Sequence, residues 1–220
     1  MNDLARRLAA EGLGSFFLFA CVVGSGIMAT KLSPGNDAIA LLGNTLATAA
    51  SLFVLIAVFG PISGAHMNPA VSLVAALRGE LNWRVAAGYS VVQLACGIVG
   101  VWAAHLMFDL PVLQVSVKAR SGIGQWMGEG IATFRLLLTI IGTMRHRPQW
   151  VASAVALYIA AAYWFTSSTS FANPAITAAR SLSNTFAGIA PGDVPLFVFA
   201  QLAGAVVAAA FGRWLFRTSE

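Results

Sequence analysis

The sequence predicts an all-α membrane protein with six membrane-spanning helices and two short helices that enter the membrane without crossing it. Three observations support this prediction. Of the 220 residues, 58% are hydrophobic and only 10% are charged, a composition that soluble domains rarely have. The apolar residues fall in runs of about 20, the length of a helix that crosses the hydrocarbon core. The tripeptide Asn-Pro-Ala occurs twice, as Asn68, Pro69, Ala70 and again as Asn173, Pro174, Ala175.

Six apolar runs are long enough to span a bilayer, and the charged residues lie almost entirely between them. We expect spans at about residues 8–30, 38–60, 84–108, 124–144, 150–168 and 194–216. The first run follows two arginines and could be taken for a signal peptide, but it is too long and it contains Glu11. We therefore expect it to remain as the first span.

The sequence repeats itself in two halves. Glu11-Gly-Leu-Gly-Ser-Phe in the first span matches Glu129-Gly-Ile-Ala-Thr-Phe in the fourth, and Gln93-Leu-Ala in the third matches Gln201-Leu-Ala in the sixth. Each half has three spans, an odd number, so the second half must enter the membrane from the opposite side. We predict one domain over residues 1–220, with inverted halves at about 1–110 and 124–220 and an outer loop at 109–123. A binding or permeation site then belongs near the midplane, where the halves meet.

Two further apolar stretches, residues 68–77 and 174–182, are too short to cross the bilayer. Each begins with Asn-Pro-Ala, in which Asn caps the free N–H groups of a helix and Pro occupies its first turn. A single copy would indicate only a helix start, but two copies at matching places predict a pair of re-entrant half-helices. Irregular backbone at membrane depth is tolerated only against protein or beside water, so the loops before them should border an aqueous path. The positive ends of both helix dipoles would face that path and repel cations, which predicts a pore for neutral solutes.

The basic residues fit a membrane topology better than nucleic-acid binding. The sequence has 13 Lys and Arg residues, and these are scattered at span ends rather than clustered. If both ends of the chain lie inside, the basic residues concentrate on the inner side, as the positive-inside rule requires. The inner set is Arg6, Arg7, Arg78, Arg84, Arg145, Arg147, Arg213 and Arg217, and the outer set is Lys31, Lys118, Arg120 and Arg180. We expect a multi-pass protein of the inner (plasma) membrane with cytoplasmic termini and no nucleic-acid partner.

The segments SGAHMNPAV (Ser63–Val71) and FANPA (Phe171–Ala175), the two glutamates and the Gln-Leu-Ala segments together resemble the aquaporin and glycerol-facilitator family. The resemblance covers nearly the whole chain. It implies a single channel domain in the lipid bilayer, passive flow of water or small neutral solutes, no cofactor, and a homotetramer with one pore per subunit. It also implies that Glu11 and Glu129 hydrogen-bond the loops before the half-helices.

His66 precedes the first motif, where the resemblance implies a residue that lines the inner part of the pore. The alternative is that His66 is hydrogen-bonded only to hold its own loop. Gln93 and Gln201 stand beside small residues and are expected to serve helix packing.

At the narrow outer filter the sequence departs from the family. Most members place an arginine directly after the second Asn-Pro-Ala, whereas this chain has Ile176. Counting without gaps from the two motifs gives Thr48, Ala161 and Ser170 as the other filter positions. These residues predict a selectivity filter that is wider and less polar than that of a water-selective member, with Phe171 as the one aromatic residue nearby.

Bacterial members of an aquaglyceroporin-like branch with an apolar residue in place of this arginine resemble the chain. They are associated with metalloid hydroxides such as arsenite and with methylated arsenicals. The resemblance therefore implies these solutes, together with glycerol and water. An ordinary water or glycerol channel remains the alternative.

Two arginines in apolar segments leave alternatives open. Arg180 lies one helical turn beyond Ile176, so it either supplies the missing charge from a different level or interacts with the end of its own helix. Arg135 lies within the fourth span, where a charge costs at least about 2.5–3.5 kcal/mol. We expect it to pair within the protein or across a subunit contact.

Other function classes fit the sequence less well. The sequence has three histidines, His66, His105 and His146, and they lie in unrelated segments without metal-ligand spacing. Neither a metal site nor an enzyme is therefore expected. A coupled transporter would share the inverted repeat, but its candidate ion ligands are limited to Glu11 and Glu129. A junction protein would keep the fold and show no flux. Cys21 and Cys96 fall inside spans and are expected to be free thiols.

Overall fold

The computed structural model describes residues 3–217, and this range is helical, with no β-strand. The ends of the predicted domain, residues 1–2 and 218–220, lie outside the described residues. Two short 3₁₀ turns, at Pro148–Trp150 and Pro191–Asp193, precede the sixth and eighth helices. The helices are α1 (Asp3–Leu32), α2 (Asp37–Ser63), α3 (Pro69–Leu77), α4 (Trp83–Met107), α5 (Ile123–His146), α6 (Val151–Phe165), α7 (Pro174–Arg180) and α8 (Val194–Leu215).

Among the described residues, five helices are long and apolar enough to cross a membrane: α1, α2, α4, α5 and α8. The prediction of an all-helical, multi-pass membrane fold is thereby confirmed. The fifth predicted span is shorter than expected, since α6 has 15 residues and is about 23 Å long. It ends at Phe165 because the backbone of Thr166 is extended and begins the polar segment Thr166–Ser170.

The two short helices begin where the Asn-Pro-Ala motifs predict. Asn68 caps α3 and Asn173 caps α7, and in both helices proline occupies the first turn. The helices have 9 and 7 residues, which is too short to cross a bilayer. Each motif therefore fixes the start of a half-helix by local chemistry.

The long helices pack as equivalent pairs in the two halves: α1 lies against α4, and α5 lies against α8. Glycines bring the helix backbones close together. A Cβ atom on Gly100 of α4 would lie 2.2 Å from the Phe16 carbonyl oxygen of α1. A Cβ atom on Gly204 of α8 would lie 2.3 Å from the Gly130 carbonyl oxygen of α5. Such close crossings stabilise helix pairs in membranes, where van der Waals packing replaces the hydrophobic effect.

The distribution of polar residues is that of a protein surrounded by lipid. Glu11, Gln93, Glu129 and Gln201 are fully buried. Large apolar side chains cover the outer faces of the helices, including Leu157 and Phe199, each 70% exposed. The polar groups that determine function therefore lie inside the helix bundle.

The close crossing at Gly204 can be tested with Gly204→Ala. The added methyl group would meet a backbone oxygen that cannot rotate away, so we expect the free energy of unfolding to fall by about 1–3 kcal/mol. Gly60→Ala is the matched control, because a Cβ atom on this helical glycine meets no atom within 4 Å. Thermal unfolding in detergent, followed by size-exclusion chromatography, measures both variants. Equal melting temperatures for the two variants would contradict the packing described.

Candidate functional site

A cavity of about 700 Å³ runs between the two half-helices and along the inner faces of α1, α2, α5 and α6. Most of its wall is apolar, and it includes both loops that precede the half-helices. One end reaches Arg78 and Glu80 beyond the last turn of α3, and the other reaches Arg180 in the last turn of α7. We call these ends the Arg78 mouth and the Arg180 mouth.

The two Asn-Pro-Ala motifs meet in the middle of the cavity. Asn68 Nδ2 donates to the Ala172 carbonyl oxygen at 2.8 Å, and Asn173 Nδ2 donates to the Met67 carbonyl oxygen at 2.8 Å. The Oδ1 atoms accept hydrogen bonds from backbone N–H groups of their own half-helices, at 2.9 Å for Asn68 and 3.0 Å for Asn173. Each asparagine therefore caps its own helix and binds the opposite loop.

These asparagines retain a donor for a solute. Each Nδ2 carries two hydrogens, and within residues 3–217 one acceptor is found for each. Both side chains line the cavity, so the second hydrogen is available to a passing oxygen atom. The positive ends of both half-helix dipoles point to the same place, which disfavours cations there.

The loops that precede the asparagines have the same unusual backbone in both halves. The residues one and three positions before each asparagine have positive φ: 47° at Met67, 48° at Ala65, 47° at Ala172 and 49° at Ser170. This left-handed conformation costs of order 1–3 kcal/mol for a residue other than glycine, so surrounding contacts must hold it.

Glu11 holds the first loop. Its carboxylate accepts hydrogen bonds from the backbone N–H groups of His66 at 2.8 Å and Met67 at 2.6 Å. The Ser63 hydroxyl and Gln93 Nε2 donate to the same carboxylate, at 2.7 and 2.8 Å. A buried carboxylate is costly unless donors surround it, and here four donors do so.

Glu129 holds the second loop in the same way. Its two oxygens accept the backbone N–H groups of Phe171 and Ala172, each at 2.8 Å, and Gln201 Nε2 also donates to it. Gln201 donates further to Thr177 Oγ1 at 2.8 Å, just as Gln93 approaches Ser72 Oγ at 3.3 Å in the first half. The two glutamines thus do more than pack helices, because each joins a glutamate to a half-helix.

Three of the four residues expected at the filter line the cavity, namely Thr48, Ser170 and Ile176. His66 and Phe171 line it as well. His66 is also held in place, because its Nδ1 lies 3.0 Å from Ser72 Oγ and its ring packs edge-on against Tyr89. His66 therefore both lines the cavity and is hydrogen-bonded within its own loop region, so the two alternatives are compatible.

The expectation that Ala161 lines the cavity is wrong. Ala161 is exposed on α6, on the same outer face as Leu157 and Trp164. The face of α6 that lines the cavity carries side chains four residues apart: Val155, Ile159 and Tyr163. Tyr163 is buried, and its hydroxyl lies 3.5 Å from Thr48 Oγ1. A large aromatic side chain therefore lies where the sequence predicted a small one.

The gapless count failed because it crosses the segment between α6 and the second motif. All seven residues there, 166–172, lie outside any helix, and three of them have positive φ: Thr169, Ser170 and Ala172. A count in the sequence does not show how far such a segment advances along the pore. The spacing of four in α6 could have identified Tyr163 from sequence.

Arg135 is exposed on α5, and its guanidinium lies over two rings of α6, 5.3 Å from the centroid of Tyr158 and 5.7 Å from that of Phe165. Within residues 3–217 it forms no ion pair with a carboxylate. The expected partner inside the protein is therefore aromatic.

Comparison with known proteins agrees with this arrangement. Residues 1–162 match the family described as Major intrinsic protein. The chain belongs to the major intrinsic protein family. Proteins of this family are channels, so the chain is a membrane channel for small neutral solutes and not an enzyme.

The chain is similar to proteins from a bacterium, a plant and a protozoan parasite. The chain is 56% identical over 218 residues to Aquaglyceroporin AqpS of Rhizobium meliloti (strain 1021), covering 99% of this chain and 93% of the relative. It is 33% identical over 149 residues to Probable aquaporin TIP1-2 of Oryza sativa subsp. japonica, covering 64% and 58%. The X-ray structure of the aquaglyceroporin from Plasmodium falciparum superposes with a TM-score of 0.72 and 21% identity, over 94% of this chain and 95% of that one. This last similarity shows the fold.

The role of Glu11 as the support of the first loop can be tested with Glu11→Gln. An amide group presents two hydrogens to a site built from donors, so at least one backbone N–H loses its acceptor. We expect a loss of about 1–3 kcal/mol in the free energy of unfolding. We also expect faster amide hydrogen exchange at residues 65–67, measured by mass spectrometry. Asp37→Asn, at an exposed carboxylate, is the control, and exchange as slow as in this control would contradict the role.

Proposed function

We propose that this major intrinsic protein is an aquaglyceroporin-type channel that passes glycerol, water and metalloid hydroxides such as arsenite, together with methylated arsenicals. The observation that carries the proposal is Ile176 in the cavity wall, directly after the second Asn-Pro-Ala. An apolar side chain there takes up less of the opening than an arginine and leaves its wall less polar. The 56% identity to a protein named aquaglyceroporin supports the same solute class.

The wall around Ile176 suits solutes that carry both hydroxyl groups and apolar surface. Thr48, Tyr163 and Ser170 contribute hydroxyl groups, and Ile176 contributes an apolar surface. A cavity of about 700 Å³ is in the range that holds small organic molecules. Neutral polyols and metalloid hydroxides both satisfy these requirements, because they exchange hydrogen bonds with hydroxyls and carry no charge.

A water-selective channel is the second candidate, and Tyr163 is the observation that favours it. Its buried ring, which lies beside Thr48, fills more of the cavity than the alanine expected from sequence would. Coupled transport is disfavoured, since Glu11 and Glu129 already accept hydrogen bonds from the loops and their glutamines. These carboxylates are thus engaged in structural bonds rather than free to bind an ion.

We further propose a homotetramer in the inner (plasma) membrane with both termini in the cytoplasm. The excess of arginine at the ends of spans assigned to the inner side supports this orientation. In it the Arg180 mouth faces outward and the Arg78 mouth faces the cytoplasm. The solute then enters from outside past Arg180 and Ile176 before it reaches the two asparagines.

The width of the filter can be tested with Ile176→Arg. The long cationic side chain should narrow the opening, so we expect glycerol and arsenite flux to fall by about tenfold or more while water flux persists. Stopped-flow light scattering on proteoliposomes measures all three solutes. Ile176→Val is the matched control, because it stays apolar and small. Native protein that passes water alone would contradict the wide filter and favour the second candidate.

The assignment of Tyr163 in place of Ala161 gives a separate prediction. Tyr163→Trp should lower glycerol flux, because a larger ring enters the cavity, whereas Ala161→Leu should leave glycerol flux unchanged, because that side chain points outward. The same stopped-flow assay, normalised to the amount of reconstituted protein, compares the two variants. A stronger effect of the change at Ala161 would restore the expectation from sequence.

A further inference from the structure

Two arginines lie against one aromatic ring at the Arg180 mouth. The guanidinium carbon of Arg180 lies 3.3 Å from the ring centroid of Phe171, and that of Arg120 lies 4.9 Å from the same centroid. Arg180 comes from the last turn of α7, and Arg120 comes from the loop between α4 and α5. Both are almost fully buried, with exposures of 3% and 7%. Cation–π contacts of this kind are strongest where water is excluded.

Backbone carbonyl groups, rather than carboxylates, hold the two guanidiniums. Arg120 Nε donates to the Gly188 carbonyl oxygen at 2.8 Å, and its Nη1 approaches the Ser168 carbonyl oxygen at 3.3 Å. Arg180 Nε donates to the Ala187 carbonyl oxygen. Neither arginine takes part in an ion pair within residues 3–217. The mouth therefore carries two buried guanidiniums that no carboxylate pairs with directly in the described part of the chain.

The guanidinium of Arg180 uses only one of its N–H groups in a hydrogen bond to the described part of the chain. Arg180 lines the cavity, and its terminal Nη groups have no protein acceptor within the part of the chain that the structure describes. A guanidinium has five N–H donors in a fixed plane. Four of these donors therefore remain available to oxygen atoms of a solute or of water.

A third cation reinforces the positive charge of this mouth. Lys118 Nζ donates to the Phe186 carbonyl oxygen at 2.9 Å and lies 4.6 Å from the centroid of the Phe186 ring. Burial, followed by the charges of Arg120 and Arg180, lowers the pKa of Lys118 to about 8. Fixed charges of one sign in a cleft with a low dielectric constant strengthen each other's potential at the opening.

We propose that Arg180, stacked on Phe171 with Arg120 on the same ring, is the residue that excludes cations at this mouth and donates hydrogen bonds to entering solutes. Arg180 lies one helical turn beyond Ile176. In this proposal Ile176 sets the width of the opening, and Arg180 supplies the positive charge that repels cations. This inference rests on the proposed channel function, whose failure is distinguishable in the experiment below. Phe171 and Arg120 are positioning residues, because they fix the plane in which the Arg180 donors lie.

The experiment compares Arg180→Gln with Arg180→Lys. Glutamine removes the charge and keeps an N–H donor for the Ala187 carbonyl oxygen, whereas lysine keeps the charge and loses the planar stack. We expect Arg180→Gln to conduct K⁺ at least about tenfold above native protein in planar bilayers, and Arg180→Lys to stay as impermeable to K⁺ as native protein. Arg84→Gln, at an exposed arginine that does not line the cavity, should match native protein.

The K⁺ conductances of these variants test the proposal. If Arg180→Gln excludes K⁺ as well as native protein does, or if Arg180→Lys conducts K⁺ as Arg180→Gln does, the proposal is wrong. If Arg180→Gln does not reconstitute, Phe171→Leu is measured in its place. Loss of the ring releases the Arg180 guanidinium from its stack, so the K⁺ conductance should rise. A K⁺ conductance equal to that of native protein would overturn the proposal. Stopped-flow glycerol and water flux are measured on the same samples. Native protein that passes neither solute would overturn the proposed function instead.

Discussion

Two buried carboxylates hold the backbone on which the pore depends. The loops before the half-helices have left-handed residues that would relax without support, and Glu11 and Glu129 bind the N–H groups that this conformation brings together. A carboxylate suits this task because it only accepts hydrogen bonds and can satisfy several donors at once. With their N–H groups held by the glutamates, the loops place Asn68 and Asn173 in the cavity wall.

The division of roles in the cavity follows from this support. The glutamates fix the loops, the loops fix Asn68 and Asn173, and the asparagines fix the starts of α3 and α7. Because α7 starts at a fixed place, its last turn brings Arg180 to the mouth of the cavity, about 10 Å away along the helix. A charge at the mouth and a dipole at the centre thus come from the two ends of one short helix.

Sequence patterns predicted those parts of the molecule whose cause is local. Asn-Pro-Ala predicts a helix start by capping, and the family resemblance implied that Glu11 and Glu129 hydrogen-bond the loops before the half-helices. Ala161 was misassigned because its position depends on the irregular segment after α6. The sequence placed Arg120 only in the outer basic set and did not predict its contacts, because its side chain bonds residues about 50–70 positions later, such as Ser168 and Gly188. Contacts of that sequence separation are set by tertiary structure alone.

The crossed hydrogen bonds between the motifs have a consequence for biosynthesis. Asn68 needs the carbonyl group of Ala172, and Asn173 needs that of Met67, so neither half can complete its own loop. While the ribosome is still making the second half, helices α1, α2 and α4 can already insert. The Asn68 amide then still has no acceptor from the opposite loop. Gln201, near the middle of the last helix, supplies one of the donors to Glu129. A finished pore therefore forms only after the last helix has inserted, and a chain stalled earlier in translation is not expected to perforate the membrane.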